Sequence, residues 1–467
     1  MRDPSGGGVP RQERYADFLE AKLQHTDGDG ITVTDLPNWL YPFQADLVEW
    51  ALRRGRSAIF ADCGMGKTPM QLAWADAVVQ HTGKPALVVA PLAVTAQTVR
   101  EATKFGIDAE VSRDGSVPAS VTVTNYERLH EFDTSRFGGV VCDESSAIKA
   151  FDGTTRATVT EFLRTHRFRL LCTATAAPND YIELGTSSEA LGELGYTDML
   201  SRWFTNRQRT AAQRGWGQQA EWRFKGHAEI PFWRWVASWA RALRRPSDLG
   251  YHDDGYELPP LEYRRTVINA DATEVGRLFD LPANGVREVR SEQRRTVEER
   301  CQAAAEALAD ADSAVAWCQT NAESDRLEQL LGAVQVSGSE PTSSKEGKLE
   351  AFTRGDIPIL VTKPSIGAWG LNWQHCNRMT YFPSYSYEQL YQAPRRLWRY
   401  GQQHPVTVDL ITTDGGLGML EAVEKKAEKA EEMFSRLVAC MRDAQQVDRD
   451  NNYPQQAEVP AWLKEAN

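Results

Sequence analysis

Long apolar runs are missing from this 467-residue chain. No stretch approaches the roughly 18 residues of a membrane helix, which excludes an integral helical membrane protein. The first ten residues are polar and glycine-rich and lack the apolar centre of a secretory signal. Cysteine is sparse. The seven present stand singly, with no Cys-x-x-Cys pair, so reduced thiols in the cytoplasm are expected rather than a disulfide framework or a zinc site. Basic charge is not in excess either. The 53 Lys and Arg face 64 Asp and Glu, and a net charge of −11 excludes a wholly basic coat protein for nucleic acid. It still allows a local basic groove. The basic residues are 40 Arg against 13 Lys. Arginine offers bidentate phosphate contacts, although codon bias in a GC-rich genome explains the count equally well.

What is present is the balance of a globular protein, 41% hydrophobic and 25% charged. The length suits about three domains, or two large ones with an insertion. Residues 1–40 read as an N-terminal extension with one short helix at 15–23. Between 41 and 200, apolar runs at 57–61, 86–90, 121–124, 140–142 and 170–172 alternate with helical patterns, which predicts a parallel sheet covered on both faces. Composition shifts over 201–260. Six of the 14 tryptophans lie there, and ten basic residues face only Glu221 and Glu229 as far as Arg245. This segment reads as an insertion or linker, helical after Pro231. Trp233, Trp235 and Trp239 interleave with Arg234, Arg241, Arg244 and Arg245. They permit contact with a nucleic-acid strand by stacking and phosphate pairing, a buried aromatic core beneath a solvated basic face, or a mixed case with an aromatic core and a basic outer face on the nucleic acid. Strand–helix alternation returns over 261–415, with runs at 314–318, 359–362, 378–382 and 407–411. Residues 416–467 read as a charged helix to about 444 and a polar tail.

The octapeptide Ala61-Asp62-Cys63-Gly64-Met65-Gly66-Lys67-Thr68 falls between a strand run and a helical pattern at 69–79. Its glycines, Gly64 and Gly66, let the backbone fold round a phosphate with N–H groups pointing inward. The helix N-terminus adds the positive end of its dipole. Lys67 would reach the β- and γ-phosphates and Thr68 would ligate Mg²⁺. Ala61 stands where the strict pattern has glycine, so an ordinary glycine-rich turn is the competing reading. Further on, the run 140–142 ends in Asp143-Glu144-Ser145-Ser146. Two acids at the end of a buried strand are costly unless they serve something. Asp143 would hold Mg²⁺, and Glu144 would orient or deprotonate an attacking water.

From Leu40 to Asp414 these motifs, with others in order, resemble the superfamily-two helicases, most closely the Swi/Snf-type DNA translocases and their phage-encoded relatives. Tyr41-Pro42-Phe43-Gln44 resembles the adenine-contacting motif, with Gln44 as reader. Ala90-Pro91-Leu92 and Thr124-Asn125-Tyr126 resemble motifs Ia and Ib. Asp143-Glu144-Ser145-Ser146 stands in the place of the DEAH box, and Thr173-Ala174-Thr175-Ala176-Ala177-Pro178 resembles motif III. In the second half, Val315-Ala316-Trp317-Cys318-Gln319 resembles motif IV. Val361-Thr362-Lys363 through Gly367-Ala368-Trp369-Gly370-Leu371-Asn372 resembles motif V. Gln392-Ala393-Pro394-Arg395-Arg396-Leu397-Trp398-Arg399-Tyr400-Gly401-Gln402 resembles motif VI.

The resemblance implies an α/β protein of two tandem RecA-like parallel-sheet lobes, with a helical, Trp-rich insertion and helical N- and C-terminal additions. It implies a monomeric, cytoplasmic, DNA-dependent ATPase and helicase or translocase using ATP and Mg²⁺ on duplex or branched DNA, with RNA the lesser choice and no membrane. An ATP-gated clamp or adaptor that translocates little, and an RNA helicase, are the competing readings. By resemblance Lys67, Asp143, Glu144, Arg396 and Arg399 carry catalysis. Gln44, Gly64, Gly66, Lys67, Thr68 and Gln392 hold the nucleotide, and Thr68 and Asp143 hold the metal. Pro91, Thr124, Asn125, Tyr126 and Thr362 touch nucleic acid.

Motif VI also has a direct reading. Ser386-x-x-Gln389 can open a helix as a capping box. Gln392 and Arg396, four apart, and Arg396 and Arg399, three apart, would then share a face that reaches a γ-phosphate across a cleft. Four residues depart from the family pattern. Ser146 replaces the histidine of the box, Arg395 replaces an aspartate, Ala368 replaces a glycine, and Pro394 should kink or restart the helix.

Overall fold

The computed structural model describes residues 30–33, 35–150, 153–177, 179–206, 222–269, 286–367 and 371–450. The helix expected at 15–23, Trp216, Pro178, the Ala368-Trp369-Gly370 part of motif V and the tail after 450 lie outside the described residues.

The first lobe is built on β1 (Arg56–Ala61), β2 (Ala86–Ala90), β3 (Ala109–Val111), β4 (Val121–Asn125), β5 (Gly139–Cys142) and β6 (Phe168–Cys172). A short antiparallel ribbon follows, β7 (Phe204–Asn206) with β8 (Trp222–Phe224), and then β9 (Ala240–Leu243). The sheet order is β3-β4-β2-β5-β6-β1-β9, with every pair parallel. Strands β2, β4, β5 and β6 are buried along their whole length, because helices cover both faces. That is why they read in sequence as unbroken apolar runs. Strand β6 lies between β5 and β1, so three loops converge at one edge of the sheet: 61–68 after β1, 143–146 after β5 and 173–177 after β6.

The second lobe holds β10 (Leu261–Ile268), β11 (Ala314–Trp317), β12 (Val334–Val336), β13 (Ile359–Thr362), β14 (Arg378–Tyr381) and β15 (Val406–Thr413). Their order is β10-β15-β14-β11-β13-β12, again wholly parallel. Two parallel-sheet lobes in tandem is the architecture the alternation predicted.

The tryptophan-rich segment is woven into the first lobe. β9 pairs with β1, and Trp233 and Trp239 on the preceding helix Glu229–Trp239 are essentially fully buried. Trp233 packs with Phe232, which Trp203 also meets, and Trp239 packs against Phe60 and Trp235. Of the two readings, core is what Trp203, Trp233 and Trp239 form. The helix Leu417–Asp450 ties the lobes together. Leu420 sits in the second lobe's core and Val423 and Ala430 lie against Tyr387, while Met433, Phe434, Leu437 and Met441 enter the first lobe's core. Among the described residues no helix is long and apolar enough to cross a membrane.

Candidate functional site

The loop after β1 turns through Gly64 (φ +89°) and Gly66 (φ +76°), the latter opening the helix Lys67–Thr82 in a left-handed conformation. Space around both glycines is also tight. A Cβ on Gly66 would fall 2.2 Å from Gln44 Nε2, and one on Gly64 would meet the Tyr400 backbone nitrogen of the second lobe at 3.3 Å. Lys67 Nζ lies over the loop, donating to the carbonyls of Ala61 (3.0 Å) and Asp62 (3.4 Å). Burial works against its charge, yet the surrounding Cys63, Glu144, Asp143 and Asp62 outweigh that and raise its pKa. Gln44 is buried beneath the loop. Its Oε1 accepts from Tyr41 N–H (3.1 Å) and its Nε2 donates to the Met65 carbonyl (3.0 Å).

Asp143 and Glu144 leave the end of β5 and are both buried. Gln71 Nε2 donates to Asp143 Oδ1 at 2.7 Å, and the Tyr126 hydroxyl donates to the Asp143 carbonyl at 2.7 Å. Glu144 has φ +47°, the one positive φ outside glycine among the described residues. Such a conformation costs roughly 1–3 kcal/mol and collects at functional sites. Thr173 Oγ1 donates to Glu144 Oε2 at 3.2 Å. Burial raises the pKa of both acids, and the charges of Lys67 and Arg396 oppose it. Two acids at the C-terminal end of β5, facing one lysine beyond the C-terminal end of β1 with only β6 between, suit a divalent cation and a phosphoryl group.

Motif VI faces this loop from the second lobe. The Ser386 hydroxyl caps its helix, accepting from Gln389 N–H at 3.3 Å. The helix Tyr387–Gln392 then stops, and a 3-10 turn, Pro394–Arg396, follows. Proline lacks the N–H an α-helix needs there. The shared helical face expected for Gln392, Arg396 and Arg399 therefore does not form, and the turn brings the two arginines together instead. Gln392 is buried away from the cavity wall with its amide nitrogen unpartnered. Arg396 and Arg399 line a cavity of about 240 Å³ with Gly64, Gly66, Lys67, Thr68, Asp143 and Glu144. Arg396 is buried, and its Nε and Nη2 have no acceptor. Arg399 is pushed down to about 10 by burial and by the neighbouring Arg396 charge.

A second cavity, about 750 Å³, opens between the lobes. Pro91 and Tyr126 line it. Thr124 and Thr362, by contrast, are fully buried within β4 and β13, and Asn125 is turned toward Glu127. Gln97, Glu101 and Asn372 line both cavities and so connect them.

Two features were not visible as motifs. Gln71, on the buried side of the helix after the loop, orients Asp143; a polar residue at an otherwise apolar helix position was its one signal. Glu388 of the second lobe accepts from both Ser146 Oγ (2.7 Å) and Thr175 Oγ1 (2.9 Å). Ser146, where the resemblance expects a histidine, thus bonds across the seam. Glu388→Ala is expected to reduce any stimulation of ATP turnover by nucleic acid at least about threefold, as loss of a charge-assisted hydrogen bond warrants. Steady-state rates with and without nucleic acid measure it, and unchanged stimulation would show the bond to be idle.

No protein-family model matches the chain, and no curated protein sequence does. Among solved structures, the Sulfolobus solfataricus SWI2/SNF2 ATPase core in complex with double-stranded DNA is similar at 15% identity, covering 86% of this chain and 97% of that one, with a TM-score of 0.40. S. cerevisiae Dbp5 bound to RNA and ADP–BeF3 is similar at 12% identity, covering 92% of this chain and 98% of that one, with a TM-score of 0.55. The chain shares the fold of that Dbp5 structure, with two tandem parallel-sheet α/β lobes and a seam between them.

Proposed function

We propose that the chain is a nucleic-acid-dependent ATPase that hydrolyses ATP at the seam and uses lobe closure to move along DNA. One observation carries this reading: Arg396 holds guanidinium N–H groups without an acceptor in the wall of a cavity whose other wall is the glycine loop and Lys67. Buried donors without partners cost free energy, and a polyphosphate supplies the missing acceptors. The loop also suits a phosphate, since Gly64 and Gly66 both take a positive φ that lets backbone N–H groups turn inward.

In this reading Lys67 and the loop N–H groups hold the β- and γ-phosphates. Glu144, set by Thr173, orients the attacking water and takes its proton. Arg396 and Arg399 stabilise the charge that develops on the transferring phosphoryl group. Thr68 and Asp143 offer the oxygen ligands that Mg²⁺ prefers, and the bound ion would neutralise phosphate charge. The larger cavity would take the nucleic-acid backbone. Arg100 and Lys104 from one lobe and Lys345 and Arg354 from the other lie along it, among the acids Glu101, Glu127, Glu346 and Glu350. Phosphate contacts of that kind position a strand without reading its sequence.

ATPase rates against single-stranded, duplex and branched DNA and against RNA test the reading. Duplex or branched DNA should stimulate most. Equal rates with and without any nucleic acid would remove the motor, and stronger stimulation by RNA would make the chain an RNA helicase. Stimulation without displacement of the third strand of a triplex would leave an ATP-gated clamp. Lys345→Glu combined with Arg354→Glu should weaken DNA binding about tenfold or more and flatten its salt dependence. Fluorescence anisotropy over a salt series checks this, and an unchanged slope would move the strand elsewhere.

A further inference from the structure

Arg395, the arginine at motif VI's aspartate position, is tied into the second lobe and aimed at the first. Its guanidinium lies 3.4 Å from the centroid of the Tyr391 ring and 5.7 Å from that of Trp398, and its Nη1 donates to the Tyr391 carbonyl at 3.0 Å. Those contacts fix the planar group and leave Nε to cross the seam to Asp62 Oδ1 at 3.2 Å. The Tyr391 hydroxyl donates to the same oxygen at 2.9 Å. Asp62 belongs to the phosphate loop, and its Oδ1 also accepts from the N–H of Cys63, which lines the nucleotide cavity, at 2.6 Å. A carboxylate is thus held within the loop that would receive a polyphosphate, and its opposite charge comes from the other lobe. Both side chains of the pair are only 14% exposed, so water screens them little.

Resting on the reading of this cavity as an ATP site, we propose that Arg395 and Tyr391 form a latch on Asp62 that couples nucleotide affinity to lobe closure. With the lobes together, the Arg395 cation offsets the Asp62 charge beside the phosphate seat. With the lobes apart, that carboxylate keeps only Lys67 of its own lobe to offset it and repels an incoming triphosphate more strongly. Arg395 is a positioning residue: it acts through Asp62 and makes no contact with the nucleotide.

The test is the equilibrium affinity of the full-length chain for a fluorescent, non-hydrolysed ATP analogue with Mg²⁺, together with KM and kcat for ATP. Arg395→Asp should raise Kd and KM roughly tenfold, between the values for an exposed and a buried ion pair, with kcat at saturating ATP changed much less. Asp62→Asn removes the repelling charge and should make the same change nearly silent: in that background Arg395→Asp should cost about twofold or less. Arg395→Gln, which adds no new charge, should fall between the unaltered chain and Arg395→Asp. An affinity unaffected by Arg395→Asp overturns the latch, and so does an equal loss in both Asp62 backgrounds. If the unaltered chain bound no analogue, the ATP reading itself would fail, an outcome distinct from binding that ignores Arg395.

Discussion

Glu144→Gln is expected to slow ATP hydrolysis by roughly 10²–10⁴-fold, the usual contribution of a positioned general base, while ATP still binds. Glutamine keeps the size and one oxygen for the Thr173 hydroxyl, so the unusual backbone at this position need not relax. What it removes is the proton acceptor. The same residue sets the direction of the pH dependence. Burial raises the Glu144 pKa, and the neighbouring Asp143 pushes the same way against Lys67 and Arg396. A base must be ionised to work, so activity should be present at neutral pH and fall as pH drops through that raised value. The acid limb of kcat should therefore lie above the ordinary glutamate range of about 4.3. A kcat profile from pH 5 to 9 reads the limb, and single-turnover rates read the loss. Hydrolysis by Glu144→Gln at the unaltered rate would take the base role from this residue.

Arg396→Ala is expected to cost as much or more. An arginine that stabilises transferring phosphate is worth roughly 10³–10⁵ in rate in related chemistry. Here it is buried, and its Nε and Nη2 have no acceptor, so a phosphoryl oxygen would supply a bond that the protein does not. The loss should fall mainly on kcat. ATP affinity should change by less, because Lys67 and the loop hold the phosphates from the first lobe. Arg396→Lys should recover little, since an ammonium cannot reproduce the forked donor geometry. Steady-state kinetics separate the two parameters, and a variant with raised KM and unchanged kcat would make Arg396 a ground-state binding group.

Much of this site was legible because its chemistry is local in sequence. The phosphate loop is one octapeptide, the acid pair is two adjacent residues, and the buried parallel strands that carry them are continuous apolar runs. The less legible parts depend on partners far apart. β9 holds Arg241, a charge that hides a buried strand. Its guanidinium lies 4.3 Å from the centroid of the Trp50 ring and bonds the Ala237 carbonyl, partners that a linear reading does not supply. The tryptophans around Arg234 read as stacking platform or as core in a linear reading, bulk favours core, and only packing decides between them. Pro394 signalled a break in motif VI, yet which way the following arginines would turn depended on the 3-10 geometry after it. Thr124 and Thr362 matched their motifs by position while their side chains are buried in strands. Glu388 and the Asp62–Arg395 pair belong to no local pattern, because each exists only when the lobes meet.

The central claim is that one nucleotide is held from both lobes at once. The most direct test is the structure of the chain with Mg²⁺, ADP and aluminium fluoride, which imitates the transferring phosphoryl group. The prediction is that Lys67 Nζ and the Arg396 guanidinium both lie within about 3.2 Å of the fluoride ligands, on opposite sides. An aluminium fluoride group bound by Lys67 alone, with Arg396 turned into the second lobe and out of hydrogen-bonding reach, would contradict it.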